Sequence, residues 1–440
     1  MKAREYFPHR GDRSYAVAHY DLTLSYIVDS NHLRGKAVLS AEAASDLREL
    51  RLDFSGLRVT KVTVDGDRAR FVAKSQHLLV RPKHPIKAGA TFRVVVAYNG
   101  QPRPVPDGDD TCGWEELADG VLVAGQTNGA PSWFPCNDRP DDKATYRIEL
   151  TVPNAYHVVA NGVCTSQWRS ASATTWVYEQ REPMATYLAT VQIGRYVEHP
   201  VAGSSVPMRA VLPHRLLPHY DSAFGQQPQM LEFYARLFGP YPFAEYTVVV
   251  TEDHLEIPLE AQGMSTFGSN FLSSDWDNVR LVAHELSHQW FGNALTASSW
   301  RDIWLHEGFA CYCEWLWSEE SGRSSADAQA RVHWSKVADK PQDLLLSDPG
   351  PDLMFDDRVY KRGALLLHAL RLTVGDDKFF PLLLTWVERH RYGSVTSAMF
   401  ESLAAEVAGE PLVDFFRVWL RQRPLPTLPP APGESMPRRR

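Results

Sequence analysis

The stretch HELSHQWFGN at 284–293, followed by WRDIWLHEGFACY at 300–312, decides how this chain is read. His284 and His288 stand four residues apart inside a helical pattern expected over 277–291. Asp277 or Asn278 is the expected N-cap and Gly292 the expected stop. Residues at i and i+4 lie one above the other on a helix face. Both imidazoles can therefore reach one ion at about 2.0–2.1 Å, the usual Zn–N distance. Two imidazoles do not complete a catalytic zinc site, so a third protein ligand is required. With eighteen residues between, the next helical pattern (303–317) brings in Glu307 after His288. That spacing lets the first helix end, a loop pass, and a second helix return beside the first. Glu314, seven residues beyond Glu307, falls on nearly the same face, where it can orient a ligating histidine. His306 faces elsewhere and is not expected to ligate. Glu285 can take a proton from a water activated by the metal, the role this residue has in the HExxH pattern.

The surrounding chain sets the frame. It has 440 residues, 44% hydrophobic and 22% charged, enough for two or three domains with their own cores. The formal charge is −7 with both signs mixed, which argues against a nucleic-acid surface. The one basic run, Arg438–Arg440, reads as a solvated tail. Five cysteines (112, 136, 164, 311 and 313) lack disulfide-framework spacing and read as reduced, buried side chains. Residues 1–6 show no apolar leader, and no run approaches the roughly 18 apolar residues of a membrane span. A soluble cytoplasmic protein follows as the expectation, with a monomer slightly favoured.

The first 200 residues read as strands. Period-two alternation is visible at 20–26, 50–54, 59–64, 92–98 and 146–152, with 187–193 closing the set. Asp65-Gly66-Asp67 and Asn99-Gly100 are the expected turns. An all-β saddle or sandwich over 1–200 is expected. The second part, 201–425, is mixed α/β and mainly helical. Helices are expected at 222–238, 359–373, 378–390, 397–408 and 412–422 besides the two metal helices, with a short strand at 246–251. From 426 to 440 the Pro-rich tail is expected to be disordered. The fold class is thus multidomain α+β.

The motifs together resemble the zinc aminopeptidases related to aminopeptidase N and leukotriene hydrolase, gluzincins with HExxH, eighteen residues, then Glu. FPCNDRP at 134–140 with KATY at 143–146 resembles that family's FPCFDEP…KATF segment, and His19–Leu22 resembles its first strand. The resemblance implies a thermolysin-like catalytic domain, one zinc per chain, and peptide substrates with a free N-terminus. It places the amine anchor in the family's GxMEN segment at Glu260 (Ile257–Ala261 here), with Glu256 the competitor and Gln126 the second amine-binding residue. It places the oxyanion-stabilising hydroxyl at Tyr360, in Tyr-Lys-Arg-Gly-Ala, where Arg362 departs from the family's pattern. His306 stands where the family usually has Asn. Most relatives continue into a helical C-terminal domain beyond the position of Trp419, so a more open cleft is implied. The expected S1 lining is Gln126, Met264 and the Glu260 segment.

The implied reaction is hydrolysis of the N-terminal peptide bond by a zinc-activated water, with Glu285 as general base. The alternatives are an endopeptidase or epoxide hydrolase on the same scaffold, and a zinc-binding interaction protein without catalysis. The last predicts a damaged Glu285 or Tyr360, and both are intact.

Overall fold

In the computed structural model, which describes residues 5–107 and 110–430, the alternating pattern around Tyr20 forms a strand over Tyr15–Ile27. Tyr20, Leu22, Leu24 and Tyr26 point inward from it and are buried. The strand pairs antiparallel with His32–Ala43 and parallel with Ala144–Pro153, at the centre of an eight-stranded sheet. A five-stranded sheet of 157–160, 191–194, 120–124, 110–117 and 105–107 lies in the same half, with a three-stranded sheet of 50–53, 77–81 and 70–73. The FPCNDRP segment is the plug of this half. Tyr20 stacks on Tyr146 with ring centroids 5.0 Å apart and accepts the Asn137 N–H, while Asp53 and Cys136 exchange backbone hydrogen bonds.

Two turn expectations part ways here. Asp65 and Gly66 both have positive φ (51° and 87°), the geometry of a tight hairpin. Asn99 and Gly100 instead end a strand, paired with Arg34 and Leu33, because the partner strand runs on past them. The closing stretch 187–193 is a short 3-10 turn, Thr186–Leu188, then the strand Val191–Gly194. Tyr196–Val201, which straddles residue 200, pairs with Met208–Pro213 in a second five-stranded sheet. That sheet continues through 246–250, 264–267 and 259–261.

Nine α-helices follow among the described residues: α1 (Tyr220–Phe224), α2 (Gln227–Phe238), α3 (Trp276–Ser287), α4 (Trp304–Glu320), α5 (Ala326–Ala338), α6 (Asp357–Val374), α7 (Asp376–His390), α8 (Ser397–Ala408) and α9 (Val413–Arg421). The expected helix 222–238 is broken after α1, where Gly225 and Gln226 separate it from α2. α3 starts one residue earlier than expected, at Trp276, and Asp275 rather than Asp277 or Asn278 occupies the N-cap position, with extended φ and ψ of −62° and 141°. It also ends earlier, at Ser287, with His288 still in right-handed geometry and its N–H bonded to the His284 carbonyl. α5 was not legible as a helix. Its buried positions are only Ala326, Ala330 and Val337, too few for a clear apolar stripe.

α4 is the central rod, buried from Trp304 through Ser318. It crosses α6 at two glycines. A Cβ added to Gly363 would lie 2.6 Å from the Gly308 Cα, and one added to Gly308 would lie 2.7 Å from the Gly363 Cα. The crossing is therefore as close as backbones allow. Beyond α9 the Pro-rich segment is tied down at its start, where Trp334 Nε1 donates to the Pro426 carbonyl over 2.7 Å. The rest of the tail, 431–440 with Arg438–Arg440, lies outside the described residues. Four cysteines are buried as expected, and Cys164 is half-exposed. No helix among the described residues is long and apolar enough to cross a membrane.

Candidate active site

α3 and α4 lie side by side and bring three ligand atoms together. His284, His288 and Glu307 are buried and offer atoms within 4.8 Å of one another, so they could hold one metal ion. The two Nε2 atoms stand 3.4 and 3.5 Å from Glu307 Oε2. The outer nitrogens are occupied: His284 Nδ1 pairs with Glu314 Oε1 at 2.8 Å, and His288 Nδ1 with the Phe291 carbonyl at 2.9 Å. Those partners require Nδ1 to carry the proton on each ring, which leaves both Nε2 lone pairs facing the shared point. Glu314 also takes Arg280 at 3.1 Å, which holds the carboxylate in its charged form. This donor set, two imidazole nitrogens and one carboxylate with their far sides anchored, fits zinc.

Glu285 follows the first histidine and is buried, with Oε2 lacking any hydrogen-bond partner. Glu285 and Glu260 offer oxygen atoms within 4.8 Å of each other and of a His288 nitrogen. Burial pushes the Glu285 carboxyl up, against the opposing pull of His284 and His288. Glu260 sits on the strand Leu259–Ala261 and accepts a 2.7 Å hydrogen bond from Gln126 Nε2, which comes from the β domain. Its carboxyl too is raised by burial. Tyr360, in the first turn of α6, lays its ring 6.1 Å from that of His284, nearly parallel at 19°. Burial, then Glu307, Glu260 and Glu285, holds its hydroxyl well above the ordinary tyrosine range, so it stays a donor.

All eight expected residues, His284, Glu285, His288, Glu307, Glu314, Glu260, Gln126 and Tyr360, line one cleft of about 740 Å³. Glu256 lines it too, at the outer end of the same segment. Met264 does not: it is buried with Val159, Val211, Val249 and Ala261 in a small core, because the strand turns its side chain away from the cleft. His306 lies outside the ligand cluster. Its Nε2 accepts the Ala297 N–H at 2.7 Å and burial lowers it to about 3, so it is a neutral brace for the returning loop.

Two functional supports went unread in the sequence. Gln289 Nε2 donates to the carbonyls of Ala261 and Met264, and its Oε1 accepts the Gly263 N–H. Asn293 Nδ2 donates to the Ala261 carbonyl at 3.0 Å. Both residues lie just past the helix that carries the histidines, and together they fasten the strand holding Glu260. Their signal was present as two amides inside an otherwise apolar QWFGNAL run.

Fold and site now meet the known proteins. The Peptidase M1 N-terminal domain matches residues 16–188, and the Peptidase family M1 domain matches 222–419. The M1 zinc metallopeptidase from Deinococcus radiodurans superposes with a TM-score of 0.88 at 32% identity, over 97% of this chain and 98% of that one. A glutamate-to-alanine mutant of that protein, bound to a Tyr-Ser-Ala substrate, superposes equally, at 0.88 and 32% over 96% and 98%. Leucine aminopeptidase 2 of Coccidioides immitis is 25% identical over 91% of this chain and 67% of its own length. Rice aminopeptidase M1-C is 28% identical over 67% of this chain and 36% of its own. The chain spans between 36% and 67% of the length of the curated relatives compared. It belongs to peptidase family M1. The matching structures are of zinc metallopeptidases, and the buried His284–His288–Glu307 cluster could hold such an ion here.

Proposed function

We propose that the protein is an aminopeptidase that removes the N-terminal residue of peptides. The observation that carries this reading is Glu260, a carboxylate held from the other domain by Gln126 and set beside Glu285 and His288. A substrate ammonium neutralises that half-buried carboxylate, and the Gln126 side-chain oxygen can accept from it. An internal bond or a blocked amine leaves Glu260 unpaired, which disfavours it.

With the amine fixed there, the first peptide bond lies over the ligand cluster. His284 Nε2, His288 Nε2 and Glu307 would hold zinc, which when bound would supply a Lewis acid for the carbonyl and lower the pKa of water. Glu285 takes the proton of the attacking water on its free Oε2 and returns it to the departing amine. The Tyr360 hydroxyl donates to the carbonyl oxygen as it gains charge. Glu314 and the Phe291 carbonyl keep both imidazoles in register. The relatives named as aminopeptidases, and the tripeptide bound to the Deinococcus mutant, support the substrate class. Cytoplasmic residence is part of the same reading, supported by the free thiols of Cys136, Cys311 and Cys313, buried as a reducing compartment keeps them.

The test is the rate on a peptide series with free or N-acetylated termini. An aminopeptidase cleaves the free series and rejects the acetylated one. Equal rates on both would identify an endopeptidase and remove the role given to Glu260.

A further inference from the structure

The cleft carries more charge than the amine site needs. Besides Glu256, Glu260, Glu285 and Glu307 it is lined by Arg280, Lys336, Lys340 and Lys361 against Asp277, Glu314 and Asp357, so this second group carries one cation in excess. The basic end rests on α5, whose Gln329, His333 and Lys336 line the cleft at a spacing that makes one stripe of the helix, with Lys340 two residues past its end. Several of these cations are already matched. Arg280 pairs with Glu314 at 3.1 Å and Lys340 with Asp357 at 2.8 Å. Lys361 Nζ rests 3.2 Å from Cys311 Sγ, a thiol that burial pushes up to about 12, and Glu314 and Asp357 supply the negative charge near this lysine. Lys336 is exposed and makes no ion pair among the described residues. Burial lowers His333 to about 4; Lys361 and Lys336 push in the same direction, while Glu314 and Asp357 oppose them.

The placement has a length scale. His333 stacks on Trp315, rings 5.3 Å apart at 10°. Trp315 is eight residues past the ligand Glu307 on α4, roughly 12 Å along the helix axis. An extended peptide covers that distance in about three to four residues.

We infer that the α5 side of the cleft, led by Lys336, is a subsite for a carboxylate on the leaving side of the scissile bond, selecting peptides of three or four residues. The acidic end takes the ammonium and the basic end the carboxylate, so a short zwitterionic peptide matches both. This rests on the aminopeptidase reading and adds a second determinant to it.

The experiment uses the zinc-loaded full chain and three substrates of one sequence: a tripeptide with a free C-terminal carboxylate, its C-terminal amide, and an amide whose last residue is Glu. The free acid is expected to exceed the plain amide in kcat/KM by about three- to tenfold at low salt, through KM, with the ratio shrinking at high ionic strength. Lys336→Gln brings the acid-to-amide ratio near one, and Lys336→Glu takes it below one. If the Glu-ended amide matches the free acid, the subsite reads any carboxylate there; if it matches the plain amide, the subsite reads the chain terminus. A wild-type ratio of one, or a ratio that Lys336→Glu leaves unchanged, overturns the inference. An aminoacyl arylamide separates the two readings: no turnover of it by wild type sinks the aminopeptidase proposal, whereas turnover with an acid-to-amide ratio of one sinks only the carboxylate subsite.

Discussion

Gln126 Nε2 donates to Glu260 Oε1 over 2.7 Å, and the two residues come from different domains. The proposed amine anchor is thus assembled only when the β domain and the zinc domain are docked. Glu260→Ala removes the charge that pairs with the substrate ammonium, and kcat/KM on free peptides should fall about 10²- to 10³-fold. Gln126→Ala removes one neutral hydrogen bond to that carboxylate and should cost about tenfold. The double variant should be little worse than Glu260→Ala alone, because the two act as a unit. Kinetics on an aminoacyl arylamide check all three. Full additivity would mean that Gln126 acts independently of Glu260.

Tyr360 should work through its hydroxyl alone. Tyr360→Phe keeps the ring against His284 and removes the donor, so kcat should drop about 10²-fold with KM little changed. Burial and three nearby carboxylates hold the hydroxyl well above its ordinary value. The donor is therefore present across the neutral and moderately alkaline range. The wild-type kcat profile should show no alkaline limb that Tyr360→Phe removes.

The proximity of His284, His288 and Glu307 was legible in the sequence, because HExxH and the returning Glu307 are separated by a distance that helix geometry converts directly into proximity. Glu260 and Tyr360 were legible only through resemblance, since a strand residue and a distant helix start share no local pattern. Other features were hidden for physical reasons. α5 escaped because α4, α6 and the tail cover only a few of its small residues. The Asp275 cap was masked by Asp277 and Asn278 just downstream, all three being acceptable capping residues. Asn99-Gly100 looks like a hairpin turn, yet the pairing with Arg34 and Leu33 extends the strand through it. Gln289 and Asn293 were readable as buried amides, but their partner strand could not be identified from spacing.

Glu314 should control metal retention more than fold. It fixes His284 Nδ1 at 2.8 Å and is itself held by Arg280 at 3.1 Å. Glu314→Gln keeps an acceptor and the size but removes the charge. Zinc affinity should weaken about 10- to 100-fold. Competition with a chromogenic chelator measures this directly, and an unchanged dissociation constant would show that the contact is only structural.

The crossing of Gly308 and Gly363 sets the position of Tyr360 relative to Glu307, because each glycine lies within one turn of one of those residues. Gly363→Ala would place a methyl 2.6 Å from the Gly308 Cα, so α4 and α6 must separate. Stability should fall by about 1–3 kcal/mol. The variant that remains folded should also lose kcat, since the hydroxyl moves with the helix. Gly322→Ala is the control: a Cβ there meets nothing within 4 Å, although its φ of 73° strains the backbone. It should lower stability without changing kcat of the folded fraction.

Lys143 links the two domains by donating to the carbonyls of Asn293 and Ala294, each at 3.0 Å. Burial lowers its ammonium from 10.5 to about 7. Between those values the unfolded chain binds a proton that the folded chain does not. Rising pH therefore favours the fold at this residue, by up to about 1.4 kcal/mol per pH unit. The contribution is complete above the unfolded value and is lost as pH falls through about 7. Lys143→Met has no such titration, so its stability deficit against wild type should widen from pH 7 to 9.5, by at most about 3 kcal/mol. Denaturant midpoints of the two proteins at both pH values give the comparison, in which all other titrations cancel. A deficit that stays constant would mean that Lys143 keeps its proton in the fold and acts only through its two hydrogen bonds.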